Sequence, residues 1–262
     1  MKLLIVEGNN KETRVEREKF GIKPYHLIFQ DMLKYLIPNA VIDIVFPADT
    51  EKKLPSTEQL KLYDGLLWTG SSLSVLDDTP SVNQQLNFAN SVFKSGIPFY
   101  GSCWGLQVAA HVAGGVIGKS NNGLELGISK SIKLTESGKK SPFLKNRTDD
   151  YRALCIHYDE IITPPKNATI LAYNEHSKVQ AITFNYLKST FFGVQYHPEF
   201  KPSDMALIIS FLSDKLIKDD FFNSQMEADE FILNLIDINH IPQEVLNYKL
   251  HTQDIKSWLN LI

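Results

Sequence analysis

The sequence predicts an α/β fold with a mostly parallel central sheet, an antiparallel flank and a helical C-terminal extension. Three observations lead to this prediction. Up to about residue 115, short apolar runs alternate with longer segments whose apolar residues recur at helical spacing, which is typical of parallel sheets covered by helices. From about residue 116, strand-like pieces follow one another with turn residues between them. From Pro202 to the end, apolar stripes at helical spacing return.

The first part of the chain supplies alternating strands and helices. Strands are predicted for four apolar runs, at residues 3–6, 41–46, 64–72 and 97–102. Helices are predicted at residues 25–37, at residues 81–95 and from about residue 104 to the glycine pair at 114–115. Pro38 and Gly96 end the first two helices. Because a strand–helix–strand connection within one sheet makes the two strands parallel, this order favours a mostly parallel sheet.

The rest of the chain divides into a β-rich part and a helical part. The strand-like pieces are SKSIKLT, RALCIHY, TILAY, VQAITF and TFFGVQY. The apolar stripes of the helical part are Met205 to Leu216, then Phe231, Leu235 and Ile238, then Leu246, Leu250, Ile255 and Leu259. We therefore divide the chain into an α/β unit of residues 1–201 and a helical extension of residues 202–262, which we expect to pack on the core. A dimer face or a docking surface for another protein stays open for these stripes.

Composition and charge narrow the class of protein. The chain has 262 residues, 43% of them hydrophobic, which suffices for a sizeable core. Its 27 basic and 30 acidic residues give a formal net charge of −3, without the basic stripe typical of nucleic-acid binding. No apolar run has the length of a membrane span or a signal peptide, and two cysteines are too few for a disulfide framework. We expect a cytoplasmic globular protein that binds neither nucleic acid nor membrane.

The stretch FYGSCWGLQ places Cys103 between two glycines, with an apolar run before it and a predicted helix after it. Gly101 and Gly105 allow a tight strand-to-helix turn that points the central side chain outward, as in the nucleophile elbow. The N-terminal N–H groups of the following helix favour a thiolate at this position. The pattern indicates a nucleophile, although on this stretch alone a buried structural cysteine stays open as the alternative.

A second stretch, VQYHPEF, supplies the base that a thiolate nucleophile needs. Pro198 disfavours helical backbone at His197, so we expect this segment to be extended. Side chains two residues apart in an extended segment lie on one face, which brings Glu199 beside the imidazole. A Cys103–His197–Glu199 triad is the preferred hypothesis, and an exposed His–Glu pair in a loop is the alternative.

Together, GSCWGLQ and the downstream VQYHPEF resemble the signature of class I (triad) glutamine amidotransferases. The nearest match is the glutaminase domain of GMP synthase and its free-standing relatives. The resemblance covers roughly residues 1–200 and implies a flavodoxin-like α/β core. It also implies Cys103 as the nucleophile, His197 as the base and acid, and Glu199 as the carboxylate that orients the histidine.

The same resemblance implies an oxyanion hole, a set of N–H donors for the negatively charged oxygen of the intermediate. DGLLWTGSS resembles the family's loop that supplies such donors, with Gly70 at the first glycine. Ser71 and Ser72 replace the second glycine and the proline of that loop. The backbone N–H groups of Gly70 or Ser71, and of Trp104 after the nucleophile, are the expected donors.

Three further residues are implied as substrate contacts. Gln107, four residues after the cysteine, matches a glutamine that contacts the substrate in the family. His157 and Asp159 lie in CIHYDEI, which resembles the H-x-D stretch near the bound glutamine. GLELG, at residues 123–127, resembles the G-R-E-hydrophobic-G segment, with Leu124 where arginine is usual.

Other residues that could carry chemistry are assigned to packing. Cys155 and His157 lie two apart on a predicted strand, but no further ligands at a useful spacing indicate a metal site. Four histidines are expected on the surface or as satisfied core residues: His26, His111, His240 and His251. The sequence has neither a P-loop nor a dinucleotide-binding turn, so we expect no cofactor and no metal.

Three hypotheses about function remain. The first is a free-standing enzyme of the glutamine amidotransferase type, which hydrolyses glutamine through a Cys103 thioester and passes ammonia to an acceptor or a partner synthetase. The second keeps the thioester but is a γ-glutamyl peptidase or hydrolase, which the Gly70–Ser71 pair favours by its resemblance to peptidase-like members. The third is a non-catalytic binding protein on the same scaffold, which the complete triad disfavours. The ammonia acceptor and the oligomeric state stay open.

Overall fold

A nine-stranded mixed sheet runs through the centre of the molecule, as seen in a computed structural model that describes residues 1–262. The strands are β1 (Lys2–Val6), β2 (Val41–Val45), β3 (Gly65–Trp68), β4 (Phe99–Ser102), β5 (Val116–Lys119), β6 (Glu125–Ile128), β7 (Ile132–Leu134), β8 (Asp150–Tyr151), β9 (Leu154–His157), β10 (Asp159–Thr163), β11 (Thr169–Tyr173), β12 (Ala181–Tyr186) and β13 (Ser189–Val194). The helices are α1 (Lys11–Lys19), α2 (Tyr25–Leu36), α3 (Thr57–Leu60), α4 (Pro80–Ser95), α5 (Trp104–Val112), α6 (Glu136–Lys140), α7 (Pro202–Lys218), α8 (Gln225–Ile236), α9 (Gln243–Leu246), α10 (Tyr248–His251) and α11 (Gln253–Leu259). None of the helices combines the length and the apolar composition that a membrane span requires.

The strand order of the main sheet is β2-β1-β3-β4-β13-β12-β11-β7-β8. The first five strands are parallel and the last four form an antiparallel flank, which confirms the predicted fold class. Strand β13 comes last in the chain yet pairs in parallel with β4, so that Val194 lies opposite Ser102. The carboxyl ends of β4 and β13 therefore meet at one edge, which is where open α/β sheets hold ligands. Two small sheets, β5 with β10 and β6 with β9, lie beside the main sheet.

Each face of the main sheet is covered by its own hydrophobic cluster. Along β1, Leu4 and Val6 join the cluster beneath α4 and α5, while Leu3 and Ile5 join the cluster beneath α2 and α11. On the second face, the ring of Trp258 in α11 lies 5.8 Å from that of Tyr100, centroid to centroid. The C-terminal helices, which begin with α7 at Pro202, thus share a core with the sheet.

Two helical regions differ from the sequence prediction. Helix α1 is absent from the prediction because KETRVEREK has no apolar stripe; Asn10 caps it by accepting a hydrogen bond from the Thr13 N–H (3.0 Å). The last two predicted stripes are only partly buried. Ile238 is 65% exposed because α8 ends before it, and Leu250 is 40% exposed because α9, α10 and α11 are separate short helices.

Two glycines allow α5 to pack directly on the sheet. A Cβ at Gly101 would lie 2.5 Å from the carbonyl carbon of Gly105, and a Cβ at Gly105 would lie 2.6 Å from the carbonyl oxygen of Trp68. Both neighbours are backbone atoms, which cannot turn aside as the end of a side chain can. The close approach of α5 to β3 and β4 therefore requires glycine at both positions.

We expect Gly105→Ala to lower the free energy of unfolding by about 1–3 kcal/mol, the usual cost of forcing extra carbon atoms into a packed core. Urea unfolding followed by circular dichroism measures this change. Gly118→Ala is the matched control, since its Cβ would meet only the flexible side chain of Ile162, at 2.9 Å. Equal stability of the two variants would contradict the packing constraint at Gly105.

Candidate active site

Cys103 occupies the sharp turn between β4 and α5. Its backbone angles, φ 47° and ψ −102°, are ones that a residue with a Cβ seldom adopts. The Cys103 N–H donates to the carbonyl of Val194 on β13 (2.8 Å), and its Sγ lies 3.7 Å from the carbonyl oxygen of Ile156. Such a backbone costs roughly 1–3 kcal/mol and persists only where the surrounding structure enforces it. The turn holds the thiol at the carboxyl edge of the sheet and at the N-terminus of α5.

His197 and Glu199 lie just beyond the end of β13. The Nδ1 of His197 is 2.7 Å from Oε1 of Glu199, and the same oxygen accepts a hydrogen bond from the Ser102 hydroxyl (3.2 Å). The exposed fractions of His197 and Glu199 are only 1% and 0%. The expected extended segment is wrong here, because Pro198 begins a tight turn that brings the two side chains together.

Two opposing effects set the charge of His197. Burial disfavours the imidazolium, but the charges of Glu199 and Cys103 outweigh burial and raise the pKa of His197 to about 10. The Nε2 atom is buried without a hydrogen-bond partner, while Nδ1 is committed to Glu199. Nε2 is therefore the nitrogen available to exchange a proton with Cys103. Phe200 stacks on the imidazole, with ring centroids 4.4 Å apart, and restricts its rotation.

The expected oxyanion loop lies against the histidine. A Cβ on Gly70 would be 2.7 Å from Cε1 of His197, so the loop backbone touches the imidazole. The N–H groups of Gly70 and Ser71 make no hydrogen bond within the protein. Trp104 is the first residue of α5, where backbone N–H groups have no partner inside the helix. Donors from the loop and from α5 thus lie on the two sides of the Cys103 turn.

Asn9 holds this loop in place, and the sequence analysis did not find it. Its Oδ1 accepts a hydrogen bond from the Ser72 N–H (3.0 Å), and the Ser71 hydroxyl donates to the carbonyl of Gly8 (3.0 Å). Asn9 is itself fixed by the buried Glu7, which accepts from the Asn9 N–H at 2.9 Å. The available signal was a charged residue at the end of the apolar run LLIV.

The three expected substrate contacts fall into two groups. The side-chain amide of Gln107 donates to the carbonyl of Asp159 (2.8 Å), so these two residues adjoin each other. The Asp159 carboxylate accepts from the Ser74 hydroxyl at 2.6 Å. His157 is placed differently, because its Nε2 is 2.9 Å from Oε2 of Glu125 and its side chain is only 1% exposed.

Glu125, in the GLELG segment, organises a buried polar cluster that the sequence analysis did not single out. Besides His157, it accepts hydrogen bonds from the side-chain amides of Asn174 (2.7 Å) and Gln180 (2.8 Å). Burial acts to raise the pKa of Glu125, but these donors outweigh it and lower the pKa. Glu125 is therefore a stable buried carboxylate, and its pair with His157 stiffens the strands β6 and β9 beside Cys103.

Comparison with known families agrees with this geometry. The sequence model of the family described as glutamine amidotransferase class-I matches residues 25–215. The chain belongs to this family. The match includes the segments that contain Cys103, His197 and Glu199, and it extends into α7.

Individual relatives of this class I glutamine amidotransferase differ in what their names describe. A γ-glutamyl-L-1-hydroxyisopropylamide hydrolase of a Pseudomonas species is 33% identical over 223 residues, which is 84% of this chain and 74% of the hydrolase. The glutamine-hydrolysing component of GMP synthase from Sulfolobus acidocaldarius is 34% identical over 189 residues, which is 72% of this chain and 90% of that component. A solved glutamine amidotransferase of Thermotoga maritima has the same fold, with a TM-score of 0.72 at 20% identity over 100% of this chain and 97% of that one.

The second cysteine of this class I glutamine amidotransferase has a packing environment. Cys155 is fully buried, and burial raises the pKa of its thiol well above the ordinary value. Its Sγ lies 3.8 Å from the carbonyl oxygen of Gly127. A dyad of Cys155 with His157 is not formed, since the Nε2 of His157 is paired with Glu125.

We expect Glu199→Gln to lower the pKa of His197 from about 10, because burial then acts without the opposing carboxylate charge. The titration of ¹³C-labelled histidine, followed by NMR and assigned with His197→Ala, measures the change. Glu230→Gln, at an exposed position on α8, is the control. A pKa of His197 that is the same in Glu199→Gln and in the wild type would contradict the assigned cause.

The same substitution should alter the dependence of stability on pH. The raised pKa of His197 stabilises the folded state fully below its unfolded value of about 6.5, and this contribution is lost as the pH rises through about 10. Glu199→Gln should therefore reduce the loss of stability between these pH values. Urea unfolding at a series of pH values tests it, and parallel curves for the variant and the wild type would count against it.

Proposed function

We propose that this chain hydrolyses γ-glutamyl amide bonds through a thioester on Cys103. The observation that carries the proposal is the buried pair of His197 and Glu199 beside the strained Cys103 turn, with the Nε2 of His197 free. A histidine with a raised pKa next to a cysteine favours the thiolate–imidazolium form, in which the sulfur is a ready nucleophile. The family match at the same segments supports this assignment.

The first half of the reaction forms the thioester. The Cys103 sulfur attacks the side-chain carbonyl carbon of the γ-glutamyl group and produces a tetrahedral oxyanion. Backbone N–H groups of Gly70 or Ser71 and of Trp104 stabilise that oxygen, and each such donor contributes roughly 3 kcal/mol. The imidazolium of His197 gives its Nε2 proton to the leaving nitrogen as the carbon–nitrogen bond breaks. The amine or ammonia departs, and the glutamyl group stays on the sulfur.

The second half releases glutamate. His197, now neutral, takes a proton from a water molecule that attacks the thioester carbonyl. The carbon–sulfur bond breaks, the thiolate returns, and His197 regains its cationic form. Glu199 stabilises that cation in both halves and holds the Nδ1 side of the ring, so that Nε2 faces the reacting groups.

For the leaving group, we favour an amine or a peptide over ammonia. The likeness to the Pseudomonas hydrolase extends over 223 residues, against 189 for the GMP synthase component. Ser71 and Ser72 also depart from the Gly-Pro form of the loop, as the sequence comparison with peptidase-like members indicates. Gln107 and Asp159 are the proposed substrate contacts, and His157 acts through its pair with Glu125.

The second candidate is a glutaminase that supplies ammonia to a separate acceptor protein. Its support is the 34% identity with the glutamine-hydrolysing component of GMP synthase over 90% of that component. Both candidates use the same thioester, so they differ only in what leaves and where it goes. The choice therefore depends on the substrate, which an assay decides.

The purified chain should release glutamate and an amine from γ-glutamyl isopropylamide and from a γ-glutamyl dipeptide, faster than it releases ammonia from glutamine. Chromatography of derivatised amines measures all three reactions. Cys103→Ala should lower every rate by on the order of 10⁴-fold or more, because it removes the nucleophile. Cys155→Ala is the matched control and should retain activity, since that thiol is buried away from the site.

Three results would change the conclusion. Ammonia from glutamine as the dominant product would favour the glutaminase candidate. Equal rates for Cys103→Ala and the wild type on all substrates would contradict thioester chemistry. Loss of activity in Cys155→Ala with an unchanged fold would show that the nucleophile is assigned to the wrong cysteine.

A further inference from the structure

The backbone that carries the catalytic histidine is tied to the C-terminal helices. We call residues 196–199 the histidine segment. The Nε2 of His251 lies 3.0 Å from the carbonyl oxygen of His197, and the hydroxyl of Tyr248 donates to the carbonyl oxygen of Glu199 (3.2 Å). These are the only hydrogen bonds that the protein makes to those two carbonyl groups. Two side chains of α10 thus hold the backbone of both the histidine and the carboxylate.

A buried ion pair fixes these helices to the rest of the fold. Arg147, in the loop before β8, holds Asp254 of α11 through two hydrogen bonds, Nε to Oδ1 at 2.7 Å and Nη2 to Oδ2 at 2.8 Å. Arg147 Nη2 also donates to the carbonyl of His251 (2.9 Å), and the Tyr196 hydroxyl donates to Asp254 (2.6 Å). The side chains of Arg147 and Asp254 are 0% exposed, which shields them from water and salt.

His251 is held in one protonation state. Burial, reinforced by the charges of Arg147 and His197, lowers the pKa of His251 to about 3, so its ring is neutral. A neutral imidazole has one N–H, and a carbonyl oxygen can only accept a hydrogen bond. The proton of His251 is therefore on Nε2, directed at the carbonyl of His197.

The histidine segment has little other support. It belongs to no helix or strand. On its amide side, the His197 N–H donates to the carbonyl of Leu154 (2.7 Å), and the Gln195 N–H just before it donates to the carbonyl of Gln180 (2.9 Å). Because a displacement of about 1 Å in a catalytic group can cost on the order of 100-fold in rate, the contacts that fix this segment affect catalysis.

We propose that His251 is a positioning residue for His197, whose Nε2–H holds the His197 carbonyl and so keeps the imidazole aligned between Cys103 and Glu199. The proposal rests on the roles proposed above for Cys103 and His197. It gives the C-terminal helices a part in the reaction through geometry, without contact to the substrate.

The test compares His251→Leu, which removes the N–H, with His251→Gln, whose amide N–H can replace it. For His251→Leu, we expect kcat to fall about 10- to 100-fold with KM little changed, because the nucleophile and the base are misaligned. The alkylation of Cys103 by chloroacetamide, measured against pH, should lose its thiolate–imidazolium behaviour at a lower pH, since a looser Glu199 contact holds the His197 proton less tightly. His251→Gln should restore most of kcat and the original pH profile.

Tyr248→Phe keeps the ring beside Tyr35 and removes only the hydroxyl, so it provides a second variant if His251→Leu does not fold. It should change kcat and the alkylation profile in the same direction, by less. His240→Leu, at an exposed histidine, is the control.

Two results would overturn the proposal. One is a His251→Leu protein with wild-type kcat and alkylation profile. The other is an equal loss of activity and thermal stability in His251→Leu and His251→Gln, with the alkylation profile unchanged, which describes a purely structural histidine. Alkylation needs no substrate, so it separates this proposal from the proposed function: a wild-type profile without any effect of His197 would overturn both.

Discussion

The close approach of α5 to the sheet is the constraint on which the site depends. Because Gly101 and Gly105 leave no Cβ between the helix and β3 and β4, the chain must reverse within one residue, and Cys103 takes the strained conformation. The same turn lets the Cys103 N–H reach the carbonyl of Val194 on the neighbouring strand. The nucleophile is thereby fixed to β13, the strand that leads into His197.

The site is assembled from segments that are distant in the chain and that meet only through the sheet order. Strand β13 is inserted in parallel beside β4, which puts His197 and Glu199 within reach of Cys103 and of the Ser102 hydroxyl. Strand β1 lies two places from β4 in the sheet, so Asn9 comes next to the Gly70 loop. Each partner is placed by a parallel strand of the same sheet, which makes the relative positions as rigid as the sheet.

Local patterns explain what the sequence could predict. Glycines two residues either side of Cys103, and a carboxylate two residues after His197, are visible within a few positions, and so are the strands and helices with clear periodicity. Asn9, Glu125 and His251 have no such local signal, because each becomes important only through a partner that is distant in the chain. The parallel pairing of β13 was unpredictable for the same reason, and the polar helix α1 because it has no apolar stripe.

Three buried or nearly buried histidine–glutamate pairs lie in this protein, and their surroundings separate their roles. Glu7 also accepts from the N–H groups of Asn9 and His26, and Glu125 also accepts from two side-chain amides, so each carboxylate is shared among structural donors. Glu199 has only His197 and the Ser102 hydroxyl, and its Oε2 has no partner. Its charge therefore acts mainly on one imidazole. A carboxylate that stabilises one cation is suited to a proton-transfer histidine, whereas a carboxylate shared by several donors is suited to holding loops and strands together.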